Sequence, residues 1–323
     1  MGKWFLLLNL SLIPSLPASS IYWTSSSAAP LSLGLDSVSS INESGTAVGY
    51  SAGQAAEASI SSPGVSLLGV SAPYSMAVAI NNSGQIAGTY ETQSGYLYGF
   101  FWSSSSGMVP LGTLGGDLSL VAAIDNAGQI VGESLDSKGN LSAFLWSPGT
   151  GIQAIGTSSS EMATGIDDSG QIAYLQDPAP YAMTYGAVGG TSSLSLLNFG
   201  GQGSTISAMN DSGWMIGETS GGDGFLWTPQ GAVNFGTSFL PTAINDSGEI
   251  AGTYQGRPAV WTESGGFQFL NLGGYNGVVV TALNDNGVIV ADSAPVPEPS
   301  AILLCLAGIL LLAAGWRRKA SAK

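Results

Sequence analysis

The sequence predicts an all-β fold, a seven-bladed β-propeller closed by its N- and C-terminal strands. Three observations predict it: a hairpin pattern recurs seven times, long runs of helix-forming residues are missing, and the two ends hold complementary parts of one repeat. The turn glycines are spaced by 39, 44, 42, 43, 35 and 39 residues, the period of a propeller blade. They are Gly45, Gly84, Gly128, Gly170, Gly213, Gly248 and Gly287.

Each copy reads as a hairpin whose turn opens on Asn or Asp and closes on glycine. The Asx side chain can accept a backbone N–H, and glycine adopts positive φ without steric cost. We expect the Asx residues to form a ring on one face and to cap their own turns, each contributing about 1 kcal/mol or less. They are Asn42, Asn81, Asp125, Asp167, Asn210, Asn245 and Asn284.

An aromatic run and a short fourth segment follow most hairpins. Residues 100–102 read Phe-Phe-Trp, residues 144–146 read Phe-Leu-Trp, and a fourth segment follows at residues 111–114 or 153–156. Four short strands in about 40 residues are the content of one propeller blade. We expect the aromatic runs to lie in the core rather than to form a ligand platform.

The first 20 residues predict a secretory signal peptide. Lys3 is followed by an apolar run at residues 4–13 and by the small residues 18–20, the order found in such peptides. The alternative is a buried N-terminal strand. Export agrees with the cysteine count, because the single cysteine, Cys305, lies near the C-terminus and leaves the body without a thiol.

Residues 21–293 show no linker or change of composition and predict one propeller domain. Residues 21–34 match the third and fourth strands of a repeat, whereas residues 278–291 hold only its hairpin. Together they make one blade, so pairing the two ends would close the ring and remove exposed sheet edges. An open β-solenoid is the competing architecture.

Residues 294–323 predict a sorting tail. Pro297, Glu298 and Pro299 precede an apolar run at residues 301–316, which predicts a transmembrane helix. The basic residues 317–319 follow and should remain cytoplasmic, leaving the repeats outside. An ordinary tail anchor is the alternative.

This tail resembles the PEP-CTERM sorting signal of Gram-negative bacteria, with Pro297, Glu298 and Pro299 as the motif. The resemblance implies recognition by an exosortase-type membrane transpeptidase and removal of the tail. It also implies export to the cell envelope or extracellular matrix, in an exopolysaccharide setting, after transient anchoring in the inner membrane through the C-terminal helix.

The repeats resemble the extracellular HAF repeat. Residues 111–116, 123–132 and 143–146 carry the resemblance, which extends over nearly the whole body. The histidine that usually precedes Ala-Phe in that repeat is replaced by Ser142. The resemblance implies location and fold more than activity.

The body of the chain is strongly acidic. Between residues 21 and 298 there are 21 acidic residues against Lys138 and Arg257, a net charge of −19. Such a surface excludes nucleic acid and anionic lipid head groups as partners. Its simplest role is solubility outside the cell, and attraction of Ca²⁺ or other cations is the alternative.

Few residues offer catalytic chemistry. The chain has no histidine, which excludes His-based triads and His metal sites. Asp167 and Asp168 are an adjacent carboxylate pair, but they occupy a repeat turn, where Asx residues are expected for structural reasons. We predict no catalytic residue, no cofactor and no metal site, and we expect solvent to keep the turn carboxylates near their ordinary pKa values.

Two functions remain open. The first is a non-catalytic surface or extracellular-matrix protein that binds polysaccharide or protein partners. The second is a carbohydrate-active enzyme that uses carboxylates in the central funnel of the propeller. The sequence favours the first, because a body with no histidine, one lysine and one arginine offers few groups for acid–base or nucleophilic catalysis.

Overall fold

The computed structural model describes residues 19–294, apart from residues 27, 63, 157–160, 177–184, 192–193 and 198–202. Within these ranges the chain is all-β, with 28 strands and no helix. The predicted signal peptide, except for its last two residues, and the sorting tail from residue 295 onward lie outside the described residues.

The first 14 strands extend from the N-terminus to residue 154. They are β1 (Ser19–Trp23), β2 (Leu31–Ser32), β3 (Ser37–Ile41), β4 (Thr46–Ser51), β5 (Gln54–Ser59), β6 (Val65–Leu67), β7 (Ser75–Ile80), β8 (Ile86–Glu91), β9 (Leu97–Ser103), β10 (Gly107–Pro110), β11 (Gly115–Ile124), β12 (Ile130–Asp136), β13 (Leu141–Ser147) and β14 (Gly151–Ala154).

The remaining 14 strands extend from residue 161 to the end of the described chain. They are β15 (Glu161–Ile166), β16 (Ile172–Gln176), β17 (Tyr185–Gly189), β18 (Leu194–Leu196), β19 (Ser204–Met209), β20 (Met215–Thr219), β21 (Gly224–Thr228), β22 (Gly231–Gly236), β23 (Phe239–Ile244), β24 (Ile250–Tyr254), β25 (Arg257–Thr262), β26 (Gly266–Phe269), β27 (Asn276–Leu283) and β28 (Ile289–Ala294).

The sheet topology corrects the predicted blade count. Five sheets have four strands, in the orders β2-β1-β28-β27, β3 to β6, β15 to β18, β19 to β22 and β23 to β26. Strands β7 to β14 instead form a single eight-stranded sheet, because β11 pairs in parallel with β9 at Leu118 and Leu97. The described chain is therefore a propeller arrangement with five four-stranded blades, and the prediction of seven such blades is wrong.

The two ends of the chain share one sheet. Strand β1 pairs antiparallel with β28 from Ser19 opposite Ser293 to Trp23 opposite Ile289. Ser20 is fully buried and donates a hydrogen bond from Oγ to the carbonyl oxygen of Leu35 at 2.9 Å. The predicted pairing of the terminal segments is confirmed, and the predicted boundary at residues 20–21 falls inside β1.

The predicted transmembrane helix is not supported. No helix in the described part of the chain is long and apolar enough to cross a membrane. The segment to which the helix was assigned, residues 301–316, lies outside the described residues.

The first strand of every repeat hairpin contains a β-bulge just before the turn. In each hairpin the register skips one residue, which stands between two paired residues of the bulged strand. A bulge bends its strand and re-aims the side chains that follow it. The skipped residues are Ser39, Val78, Ala122, Thr164, Ser207, Thr242 and Thr281.

The hydrophobic core is divided among clusters that pack each repeat against the next. Phe100, Phe144 and Phe225 from the aromatic runs are at most 1% exposed. Burial of phenylalanine rings contributes strongly to the hydrophobic stabilisation of the fold. The phenylalanines of these runs therefore lie in the core, as predicted, whereas Trp102, Trp227 and Trp261 are only partly buried.

Candidate functional site

Each predicted Asx residue caps its own turn. In the hairpin of residues 80–86, the Asn81 side-chain oxygen accepts the N–H of Gln85 at 2.9 Å, and the Gly84 N–H donates to the Asn81 carbonyl. The corresponding bond to the residue four positions later forms in all seven turns, at 2.7–3.0 Å. The turn glycines have φ between 70° and 82°, as the turn type requires.

The seven Asx residues also connect one turn to the next. All are at most 5% exposed, and where the residue is Asn its Nδ2 donates to the backbone carbonyl of the next turn's Asx at 2.9–3.1 Å. The donor from Asn284 reaches Asn42 and so joins the last repeat to the first. Asp125 and Asp167 lack this donor. We call this set the Asx ring.

The residues that follow the Asx positions form a second closed ring. The backbone N–H of each donates to a side-chain oxygen of the equivalent residue in the next repeat, at 2.6–3.1 Å. Because five of the seven are carboxylates, we call it the acidic ring. Its members are Glu43, Asn82, Asn126, Asp168, Asp211, Asp246 and Asp285.

These two rings surround a central depression of about 330 Å³. Its wall contains the skipped bulge residues, whose side chains are small or polar apart from Val78, and its rim is the acidic ring. The two basic residues of the described chain, Lys138 and Arg257, do not line it. The depression is therefore polar and negatively charged, which disfavours phosphates, nucleic acids and acidic sugars.

Partial burial, together with neighbouring carboxylates, raises pKa values in the acidic ring. Partial burial, with the neighbouring charges of Asp168 and Asp246 adding to it, raises the pKa of Asp211 to about 6. Burial also raises the pKa values of Asp246, Glu43 and Asp125. The expectation that solvent keeps the turn carboxylates near their ordinary pKa values is wrong at these positions.

These shifts predict a pH dependence of stability. A carboxylate whose pKa is raised by folding favours the folded state when protonated, so its stabilisation is lost as pH rises through the folded pKa. We therefore expect the melting temperature to increase as pH falls from about 7 to about 5, across the pKa of Asp211. Reduced repulsion within the acidic body acts in the same direction.

Thermal unfolding of the wild type and of Asp211→Asn across this pH range checks the prediction. The variant keeps an oxygen that can accept the Asp168 N–H, as Asn82 and Asn126 do for their own neighbours. It should be the more stable protein at pH 7 and show a flatter profile. A variant whose profile matches the wild type would contradict the assignment.

The structure separates the adjacent pair Asp167 and Asp168. Asp167 is 1% exposed and accepts the N–H of Gln171 within its own turn. Asp168 is exposed and accepts from the backbone and side chain of Asn126 at 2.8 and 2.7 Å. Both carboxylates hold turns in place. Among the described residues, no group of three or more Asp, Glu, Cys or His side chains is arranged to hold a metal ion.

Sequence reasoning missed the acidic ring and the bulges. The ring had a signal, because Asn, Asp or Glu follows the Asx residue in all seven copies. The bulges had no sequence signal of comparable strength, because the skipped residues include serine, valine, alanine and threonine.

The chain carries a PEP-CTERM protein-sorting motif at residues 295–319. This match indicates export and sorting to the cell envelope, and it implies processing by an exosortase. The matched segment does not extend into the repeats, so the resemblance to the HAF repeat stays an expectation. No curated protein sequence matches the chain at a significant level.

Solved structures share the fold at low identity. TolB from Acinetobacter baumannii is 12% identical, with 85% of this chain and 63% of that chain covered and a TM-score of 0.50. A putative TolB from Agrobacterium tumefaciens is 11% identical, with 87% and 100% covered and a TM-score of 0.51. The chain thus spans less than two thirds of the A. baumannii protein, and the likeness supports a β-propeller fold alone.

Proposed function

We propose that the protein is an exported, non-catalytic component of the cell surface or extracellular matrix that binds polysaccharide or protein partners through the face of its turns. The sorting motif at residues 295–319 supports the location. The observation that carries the binding role is the closed acidic ring, in which every member accepts a backbone N–H from its neighbour. The result is a rigid polar surface.

Rigidity favours binding for a physical reason. Side chains already fixed by hydrogen bonds lose little conformational entropy when a partner docks. The same bonds disfavour catalysis, because a carboxylate committed to a neighbouring turn is poorly placed to move a proton or attack a substrate. Binding without turnover therefore fits the contacts of this face best.

A glycan array probed with the mature protein tests the proposal. We expect retention on a defined subset of polysaccharides from the producing organism, with neutral chains preferred over uronate-rich ones because of the negative face. Retention on no glycan, together with no protein partner recovered from the envelope of the same organism, would contradict the proposal.

One observation favours a second candidate, a carbohydrate-active enzyme. Asp211 accepts the Asp168 N–H and donates its own N–H to the Asp246 carboxylate. Its pKa is raised to about 6, as suits a general acid, and glycoside hydrolysis uses a pair of neighbouring carboxyl groups. Hydrolysis that disappears in Asp211→Asn, with folding and binding retained, would establish this candidate in place of the first.

Processing of the tail gives a separate prediction. Replacing Pro297, Glu298 and Pro299 by alanine should leave a mass that still includes the C-terminal tail, whereas the native protein should lose it. The reason is that an exosortase has to recognise the motif before cleavage. Intact-mass measurement of both proteins from the producing organism checks this, with Ser300→Ala as the control, and equal processing of the triple variant would reject it.

A further inference from the structure

A groove of about 900 Å³ lies between the sheet β19 to β22 and the sheet β23 to β26. It begins beside the acidic ring, since its lining includes Ser247, the neighbour of Asp246. The tryptophans Trp214 and Trp261 line it, with the apolar Leu226 and Val233. Its volume falls within the range of roughly 300–1,000 Å³ typical of ligand sites.

Trp214 departs from the repeat. It follows the turn glycine Gly213, and the equivalent residue is glutamine in three other copies, Gln85, Gln129 and Gln171. A Cβ added at Gly248 would lie 2.8 Å from the Trp214 ring. The indole therefore packs on the turn glycine of the next repeat.

Gln85 occupies the same place in its own repeat. Its side-chain oxygen would lie 2.7 Å from a Cβ added at Gly128, which is the turn glycine of the repeat that follows. The scaffold thus accepts glutamine at this position. Tryptophan here is not required by the fold.

Both indoles are partly buried and packed against neighbouring residues. The Trp261 ring packs edge-on against Phe235, with 5.0 Å between centroids. Within the described residues neither Trp214 nor Trp261 donates a hydrogen bond from its indole N–H, although neither nitrogen is buried. By contrast, the Trp102 indole donates to the Leu68 carbonyl at 3.0 Å.

The rest of the lining is polar and carries no positive charge. Gln230 supplies an amide, and Glu249 and Glu263 supply carboxylates. The Thr228 hydroxyl donates to the Gly231 carbonyl, whereas the Thr262 hydroxyl accepts the Gly265 N–H and keeps its own O–H for a ligand. One of these carboxylates is partly engaged, since the Asn245 Nδ2 donates to Glu249 at 3.0 Å. Glu263 is exposed. An anionic ligand would meet two negative charges here without a compensating cation.

We propose that this groove binds a neutral glycan, a chain of uncharged hexoses. This inference rests on the proposed function and names its site. An indole face matches the C–H face of a hexose ring, and the open indole N–H groups, hydroxyls and carboxylates match sugar hydroxyls. The negative lining excludes uronates. A basic or proline-rich peptide is the competing occupant and is an outcome of the test.

Binding of the mature protein to soluble neutral hexose polymers, a uronate polymer and a basic proline-rich peptide tests the proposal. Trp214→Gln installs the residue found at this position in three other repeats, so it should fold as the wild type does. Gln85→Ala is the matched control, because it changes the equivalent position outside the groove. Melting temperatures confirm that both variants are folded.

We expect the wild type to bind a neutral polymer and Gln85→Ala to bind it equally well. Trp214→Gln should bind it roughly tenfold more weakly, as for the loss of a central aromatic anchor. Equal binding by the wild type and Trp214→Gln would overturn the groove while leaving glycan binding at another site. Preference for the uronate polymer or the peptide would also overturn it. A wild type that binds no polysaccharide would overturn this inference and the polysaccharide part of the proposed function together.

Discussion

Asn284→Ala is expected to lower the free energy of unfolding by about 2–4 kcal/mol, because it leaves the buried Val288 N–H unpaired and removes one of the two hydrogen bonds to the Asn42 carbonyl. Asn284 is 3% exposed. Its Nδ2 donates to the Asn42 carbonyl at 3.0 Å, and its Oδ1 accepts the Val288 N–H at 2.9 Å. The hydrogen bond to Asn42 joins the last hairpin to the first. The substitution therefore weakens the contact between the first and last repeats.

Chemical denaturation of the wild type and Asn284→Ala measures this loss. Asn284→Asp is the informative control, since it keeps the oxygen for Val288 and replaces the donor to Asn42 by a carboxyl oxygen. The chain already carries Asp at the equivalent positions Asp125 and Asp167. Asn284→Asp should therefore show an intermediate loss. If Asn284→Ala were as stable as the wild type, the joining role of this residue would be wrong.

Gly132→Ala is expected to cost about 1–3 kcal/mol of stability, the usual range for overpacking a core. A Cβ at Gly132 would lie 2.0 Å from the carbonyl oxygen of Leu120 on β11. The bulge after Val121 is adjacent to this close approach. Two other repeats carry Tyr174 and Ala291 at this position, so the backbone can adjust, and the expected effect is a lower melting temperature rather than failure to fold.

Gly149→Ala is the matched control for Gly132→Ala. No atom outside its chain neighbours lies within 4 Å of a Cβ placed at Gly149, and its φ is not positive. The melting temperature of Gly149→Ala should match that of the wild type. The melting temperature of Gly132→Ala should be lower by roughly 2–4 °C for each kcal/mol of stability lost. A Gly132→Ala variant as stable as the control would show that the contact with Leu120 relaxes freely.

The hairpins could be predicted from sequence because their signal is local. An Asx residue and a glycine three positions apart specify the turn through one side-chain hydrogen bond and one positive φ. Asn81 and Gly84 show both features in the structure. The pairing of β1 with β28 could also be predicted, because the two ends hold complementary parts of one repeat.

The number of sheets could not be predicted in this way. Strand β11 extends to Gly115 and meets β9 at a single parallel pair, Leu118 with Leu97. This pairing depends on the path of the chain between the two repeats, which repeat spacing does not determine. The count of seven equal blades failed for this reason.

The burial of the Asx residues was also missed. Turn residues were expected to face solvent, and their caps to contribute about 1 kcal/mol or less. Packing of the turns around a central depression instead buries Asn42 and Asn284 and lets each bind a neighbouring turn. Contacts between neighbouring repeats stabilise this face, and the burial they produce raises the pKa values of its carboxylates.

Binding of a glycan without cleavage can be measured in a single incubation. Mature protein is mixed with the polysaccharide of the producing organism. The bound protein fraction and the chain length of the polysaccharide are then measured on the same sample over time. We expect protein to be retained on the polysaccharide while the chain length and the number of reducing ends stay constant. Chains that shorten with the wild type but not with Asp211→Asn would contradict it.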